Sequence, residues 1–360
     1  MMNLNEIKNS YKIQGGHTQN KNFKKRHMKK YIYFLLFIFS GNLFVSCNNE
    51  WEDEQYVQMP SFKAEQNAQG VTWAYVRYKP EGKVRFDLPV VISGSTPNIQ
   101  DRTVHIGLDP DTLSILNREQ YGHREELYFR QLEKQYYSMP ETIDIPAGES
   151  TATIPIEFTL GDLDQSDKWV LPLQILEDPS NGYRVNPHKH YRRAMLRITP
   201  FNDYSGTYGG TLYKIFLEGD TQEALTLNTH RTFAVDDETI FLYAGTRDID
   251  YPDRKNYKVF IKFTDEEIDI QKKKLEIWSD NAENNKFKIG DEQSYYTIEE
   301  EWDPQLPYMK HIYITLFLSY EFVDYTTVPG YPLKYTVEGT LSMQRDLNTL
   351  IPDEDQQIQW

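Results

Sequence analysis

Three features of the 360-residue sequence predict an all-β protein. Aromatic residues make up 14% of it, led by 26 tyrosines, and flat rings pack well on pleated sheets. Short runs of alternating β-branched and aromatic residues recur from about Tyr56 to Gln344, punctuated by glycine, proline and asparagine. Helical signals are confined to one stretch, 109–139.

The strands are preceded by an address. Residues 1–46 carry eight Lys or Arg and one acid, Glu6. Met28-Lys29-Lys30 forms a basic start, and Tyr31 to Phe39 is an unbroken apolar run of nine. A bilayer span needs about 20 apolar residues, so this run fits the core of a secretory signal. Phe44-Val45-Ser46-Cys47 resembles a bacterial lipobox, in which the cysteine after a small residue receives lipid. Cys47 is the one cysteine of the chain, so it is the expected lipidation site and no internal disulfide is available. Residues 1–47 are thus read as upstream segment plus lipoprotein signal peptide, with Met28 the expected start. Residues 48–58 are an acidic spacer containing Glu50, Glu52, Asp53 and Glu54. An acidic stretch behind a lipidated cysteine resembles a surface-export signal, which places the protein on the outer membrane facing the exterior.

Residues 59–200 read as the first domain. Val71–Tyr78 and Val84–Ser93 are strands, with Pro89 marking an edge or a bulge. Thr103–Leu108 is a third. Asp111 is the expected cap of a short helix with Leu113, Leu116 and Gln120 behind it, and Leu127, Phe129 and Leu132 form a further apolar stripe. Glu141–Leu160 has two alternating runs around Pro146-Ala147-Gly148-Glu149-Ser150 and reads as a hairpin. Trp169–Leu176 and Ala194–Thr199 complete about seven short strands, the spacing of an antiparallel immunoglobulin-like β-sandwich with a short helical insertion.

Pro200 is expected to stop that last strand. Residues 201–346 then give eight strand signals, near 207–218, 230–235, 239–244, 256–264, 274–278, 295–300, 311–321 and 333–344. Eight strands without a long helix predict an antiparallel, lipocalin-like β-barrel or a second sandwich. Residues 347–360 are an acidic tail ending in Trp360.

Charge excludes some functions. The whole chain is −15, and the part after Ser46, with 31 basic against 53 acidic residues, is −22. Nucleic-acid binders need basic surface, so that class is set aside. No nucleophile-elbow, zinc-helix, P-loop or dinucleotide motif occurs. His188 and His190 would share one side of a strand but lack further ligands, and Gly161–Asp167 has only half the pattern of a calcium loop. No cofactor and no metal are expected. A carboxylate pair for glycoside hydrolysis has no local signature, so a hydrolase stays open as an alternative.

The remaining chemistry lies in rings. Trp73, Trp169 and Trp278 fall in strand patterns and read as core. Trp302 and Tyr308 share one loop with acids, and Tyr251, Asp253 and Arg254 share another. A sugar offers an apolar C–H face to a ring and hydroxyls to carboxylate or guanidinium. These five residues are the glycan-binding candidates; no residue is assigned a catalytic role.

Several segments together carry a resemblance: Tyr136–Pro140, Ile143–Ser150 and Lys168–Ile175 in the first block, and Ser205–Thr211, Phe241–Gly245, Gly339–Arg345 and 348–360 in the second. The first block resembles the uncharacterised immunoglobulin-like domain of Bacteroidetes surface lipoproteins, also found before some family-18 glycosidases. The second resembles its companion C-terminal β domain. The acidic signature of the family-18 enzymes is absent. The resemblance implies a non-catalytic accessory of a starch-utilisation-like polysaccharide system, with a glycan ligand, a lipid anchor in the outer membrane and a TonB-dependent transporter complex as partners. An adhesin or structural subunit binding protein is the other reading.

Overall fold

The computed structural model describes residues 56–351, apart from 80–81, 162, 178–179, 181–182 and 220–222. The signal segment, Cys47, most of the acidic spacer and the tail with Trp360 lie outside the described residues.

The N-terminal domain is a sandwich of two sheets. Its strands are β1 (Met59–Phe62), β2 (Thr72–Arg77), β3 (Lys83–Ser93), β4 (Arg102–Leu108), β5 (Phe129–Gln131), β6 (Tyr137–Ser138), β7 (Thr142–Ile145), β8 (Thr151–Thr159), β9 (Lys168–Ile175) and β10 (Arg193–Phe201). One sheet has the order β1-β3-β8-β6, and the other β2-β10-β9-β4-β7 with β5 also on β9. Period-2 alternation supplies the core between them: Leu88, Val90 and Ile92 of β3 and Ile154, Ile156 and Phe158 of β8 meet Val104, Ile106, Leu171 and Leu173 from the other sheet. Each such side chain contributes about 1.5–3 kcal/mol when fully buried.

Two pairings are parallel, β2 with β10 and β5 with β9, where sequence patterning indicated an all-antiparallel sandwich. Alternation reports faces, not strand direction. The segment 141–160 is likewise not a hairpin. β7 pairs with β4 in one sheet and β8 pairs with β3 in the other. The turn between them crosses the sandwich and is held from outside: Asn98 Nδ2 donates to the Ile145 and Pro146 carbonyls, and the Gly148 amide donates to the Asn98 carbonyl.

Helix α1 (Pro110–Tyr121) is capped by Asp109, not Asp111; the Asp109 carboxylate accepts from the Thr112 amide at 3.1 Å and Pro110 occupies the first turn. Its buried side chains are Leu113, Asn117 and Tyr121, while Gln120 is exposed. Asn117 exchanges two hydrogen bonds with the Phe129 backbone, at 2.8 and 2.7 Å, and so fixes β5. Leu127, Phe129 and Leu132 are buried, but around β5 and two 3-10 turns.

Proline placement follows the gaps between partners. β3 is an interior strand, so Pro89 marks neither an edge nor a bulge; it sits where β1 ends, and Lys63 donates to its carbonyl. β10 continues through Pro200 to Phe201, because β9 pairs with it only as far as Arg197. His188 and His190 lie at a bend and in the one-turn helix α2 (Lys189–Arg192), not on a strand.

The C-terminal domain is a barrel. Its strands are β11 (Thr207–Leu217), β12 (Leu225–Thr226), β13 (Thr229–Arg231), β14 (Phe233–Ala234), β15 (Thr239–Tyr243), β16 (Lys258–Asp269), β17 (Lys272–Trp278), β18 (Lys288–Ile289), β19 (Tyr295–Trp302), β20 (Met309–Asp324) and β21 (Leu333–Asn348), with the one-turn helix α3 (Ala282–Asn285) before β18. Every neighbouring pair is antiparallel. β13 pairs with β11 and β14 pairs with β15. Only Thr232 separates the two, and it exchanges hydrogen bonds with Gly206. Together β13 and β14 therefore act as one interrupted strand that closes a ring of eight. The interior is packed with Tyr208, Tyr213, Ile261, Leu316, Tyr320 and their neighbours, as small barrels require. Gly339 lies opposite a bulge in β11; a Cβ there would stand 2.0 Å from the Leu212 carbonyl.

The two β domains form a single compact unit. Arg254, 1% exposed, donates to the Ser166 carbonyl at 2.8 Å and the Glu126 carbonyl at 3.0 Å across the junction. Lys168 pairs with Asp250, Lys255 with Asp167, and Gln165 donates to the Ala234 carbonyl. Two acids of the calcium-like run are used here: Asp167 also pairs with Arg130, and Asp164 faces Lys258.

Candidate functional site

The up-and-down order of the barrel strands sorts its loops onto two ends. One end carries the turns 235–238 and 270–271 and the loop 303–308. The other carries the longer connections that join β11 to β13, β15 to β16, β17 to β19 and β20 to β21. Long loops on a rigid sheet are where barrels build binding sites.

At the long-loop end the organising residue is Arg247. Its guanidinium pairs with Asp324 at 2.7 Å and Asp253 at 3.1 Å, donates to Thr327 Oγ1 at 3.0 Å, and lies 3.8 Å from the Tyr257 ring centre. Tyr257 donates to Asp324 at 3.1 Å, and Thr326 donates to Asp253. Burial alone would raise the Asp324 carboxyl. The Thr327 hydroxyl and amide, Arg247 and the Thr326 amide outweigh it and hold the group well below the usual carboxylate range. The same two carboxylates raise Arg247 against the effect of burial.

A cavity of 140 Å³ opens on this network, lined by Arg247, Tyr251, Phe322, Asp324, Thr327 and Tyr335. A second, of 220 Å³, shares Thr246 and Arg247 and continues past His230, Arg231 and Asp248. Gly245 sits between them with φ +68, where a Cβ would meet the Phe322 ring at 2.9 Å. Tyr251 is 40% exposed and Tyr331 73% exposed on the surrounding loops. This set can lay a ring against an apolar face and offer fixed carboxylate and hydroxyl acceptors to ligand hydroxyls. Asp324 is held ionised by its partners and engaged with Arg247, so it is not poised as a general acid.

Of the residues singled out from sequence, Tyr251 lines this cavity and Asp253 supports it. Arg254 does not face ligand: its side chain is buried in the domain junction, because the 3-10 turn Arg254–Tyr257 points it at carbonyls of the sandwich. Trp302 and Tyr308 lie at the opposite end and do not share a loop: Trp302 is the last residue of β19, paired with Lys310, and only Tyr308 is in the connection. Trp302 is 56% exposed with Lys310 over its ring at 5.9 Å, and the Tyr308 carbonyl is taken by Thr349. Trp278 is 41% exposed and stacks on Phe260, while Trp73 and Trp169 are half-buried, so none of the three is a full core residue. Sequence reading missed Arg247, Asp324, Thr327 and Tyr335. The available signal was Gly245-Thr246-Arg247 at the end of a fully apolar strand, in the same loop as Tyr251. Among the described residues no group of three His, Cys, Asp or Glu side chains stands close enough to hold a metal ion.

A family model for a domain of unknown function, DUF4973, matches residues 51–179, and a second, for a C-terminal domain, matches residues 192–342. A solved protein of unknown function from Bacteroides ovatus is 43% identical, with TM-score 0.75, over 83% of this chain and 96% of its own. The chain belongs to this DUF4973 family. Two further solved structures match the chain across both domains. A Bacteroides ovatus multidomain protein including DUF1735 is 37% identical, with TM-score 0.73, over 84% of this chain and all of its own. An auxiliary nutrient binding protein from Bacteroides thetaiotaomicron is 37% identical, with TM-score 0.73, over 82% of this chain and 97% of its own. None of the curated proteins matches the chain.

Proposed function

We propose that this protein is a non-catalytic nutrient-binding protein that holds a glycan at the long-loop end of its barrel. One observation carries the reading: a buried Arg247 clamps Asp253 and Asp324 beside a cavity whose accessible wall includes Tyr251 and Tyr335. Tyrosine faces suit the C–H face of a sugar ring, and ionised, oriented carboxylates suit its hydroxyls. A family member described as an auxiliary nutrient binding protein supports the same class of role. Arg247 and Arg231 together are outnumbered by Asp253, Asp324 and Asp248 around these cavities, a balance that favours neutral sugars there. Affinity electrophoresis of the full chain through gels containing neutral polysaccharides tests this. Retardation by at least one is expected, and passage unretarded through all of them contradicts the reading.

We place the protein on the outer surface of the outer membrane, anchored through Cys47 and working beside a TonB-dependent transporter complex. The support is the apolar run and lipobox-like Phe44–Cys47, followed by the acidic spacer. Several acyl chains at about 0.8 kcal/mol per buried CH₂ give a lasting anchor where one does not. Cys47→Ala is expected to abolish labelling by a lipid precursor and release the protein from the membrane fraction; retained labelling contradicts the anchor.

A further inference from the structure

The outer face of the β2–β10 sheet meets the barrel through an unusual concentration of cations. Arg197 on β10 stacks on Trp73 with its guanidinium carbon 4.2 Å from the ring centre. Arg231 on β13 approaches the same ring at 4.7 Å. Trp73 also stacks on Tyr75 at 5.7 Å, with the two rings 4° from parallel. Lys168 lies 4.5 Å from the Tyr121 ring centre and pairs with Asp250. Arg197 itself also faces Phe129 at 5.9 Å.

Arg197 is the anomaly. It is 6% exposed, yet among the described residues its guanidinium joins no ion pair and donates no hydrogen bond. Its nitrogens are not among the buried side-chain atoms left without a partner, so they keep some contact with solvent and stay open to a ligand. The cation–π contact with Trp73 offsets part of the burial of the charge. Burial and the neighbouring Arg231 push Arg197 down to about 10, so it remains a cation at neutral pH, and Asp250 acts on it only from a distance. Asp250 is half exposed and Trp73 and Tyr75 are half-buried, so the cluster meets solvent along the seam between the domains. A planar guanidinium with its face on a ring leaves its edge N–H groups in plane, the arrangement that takes a carboxylate through two parallel hydrogen bonds.

We propose that Arg197 is the centre of a carboxylate-binding site at the domain junction, with Arg231 and Lys168 beside it, and that its ligand is an acidic sugar of the hexuronate class. The anion site is centred away from the 140 Å³ mouth cavity and shares Arg231 with the 220 Å³ one. Assigning the carboxylate to a sugar rests on the nutrient-binding reading. Asp250 is the competing carboxylate: it holds Lys168 and opposes an incoming anion.

The test is isothermal titration of the full chain with sodium glucuronate, D-glucose and sodium acetate at matched ionic strength. Glucuronate is expected to bind at least tenfold more tightly than glucose. Arg197→Met, which keeps the stem over Trp73, is expected to weaken glucuronate at least tenfold, and Arg197→Lys less. Asp250→Asn is expected to strengthen it severalfold. If Arg197→Met does not fold by circular dichroism, Asp250→Asn decides, and an unchanged or weaker affinity overturns the site. Glucuronate binding no better than glucose, or equally well to folded Arg197→Met, also overturns it. Acetate matching glucuronate overturns the sugar assignment and supports the carboxylate site, whereas loss of polysaccharide retention with glucuronate binding intact refutes the mouth alone.

Discussion

The two ends of the barrel carry loops of similar composition and different construction. At one end, Trp302 and Tyr308 sit among Glu299, Glu300, Glu301 and Asp303; at the other, Tyr251 sits among Asp248, Asp250 and Asp253. The first set has an exposed ring at the end of β19, next to a short connection tied down by His311 between Asp346 at 2.6 Å and Asp303 at 3.2 Å. The second surrounds a buried guanidinium whose partners come from two loops far apart in sequence, 247–253 and 324–327. The difference is preorganisation. Rings and acids occur at both ends, but only the long-loop end fixes them around a cavity with a buried ionic centre.

The largest expected effect comes from breaking that centre. Arg247→Met leaves Asp324, 4% exposed, and Asp253, 22% exposed, without their cation. A loss of about 3–5 kcal/mol is expected for removing one member of a buried pair. Urea unfolding followed by tyrosine and tryptophan fluorescence measures it, and a loss under 1 kcal/mol would mean the two ends are built alike. A smaller cut at the same place is Tyr257→Phe. The hydroxyl bridges Asp324 and Thr326 and gives Tyr325 an acceptor, so its removal is expected to cost about 1–2 kcal/mol in the same unfolding experiment.

How much of this is legible in the sequence depends on range. The barrel strands can be read because alternation is local: inward residues such as Val259, Ile261 and Phe263 of β16 or Ile314, Leu316 and Leu318 of β20 announce their face within two positions. Strand partners are less legible. Thr142–Ile145 and Thr151–Thr159 look like one hairpin because their turn is short, and only the Asn98 side chain, some 47 residues away, shows that they part to different sheets. The site follows the same rule. Tyr251 and Asp253 declare themselves by loop composition, whereas Asp324 ends an apolar strand and acquires meaning only through Arg247. Arg254 has the right composition and the wrong direction, since its partners are backbone carbonyls that no pattern of side chains reveals. Family likeness could be read from segments such as Lys168–Ile175, while the Arg197 cluster could not, because β2, β10 and β13 meet only after both domains have folded.

The smallest effect is expected at the short-loop end. Hydrogen bonds that His311 donates to Asp346 and then to Asp303 raise it above its ordinary value of about 6.5. A raised folded value stabilises the protein fully below the unfolded value, and that contribution is lost as pH rises through the folded one. Wild-type melting temperature should therefore fall slightly more than that of His311→Gln as pH rises above about 6.5. Parallel profiles would mean that the tether contributes nothing.

The central claim is that the long-loop end, and not its look-alike, binds the glycan. Affinity electrophoresis of wild type, Tyr251→Ala and Trp302→Ala on a polysaccharide that retards the wild type decides between them. Loss of retardation in Tyr251→Ala, with Trp302→Ala unchanged, is the predicted result. Loss in Trp302→Ala, with Tyr251→Ala still retarded, would contradict it.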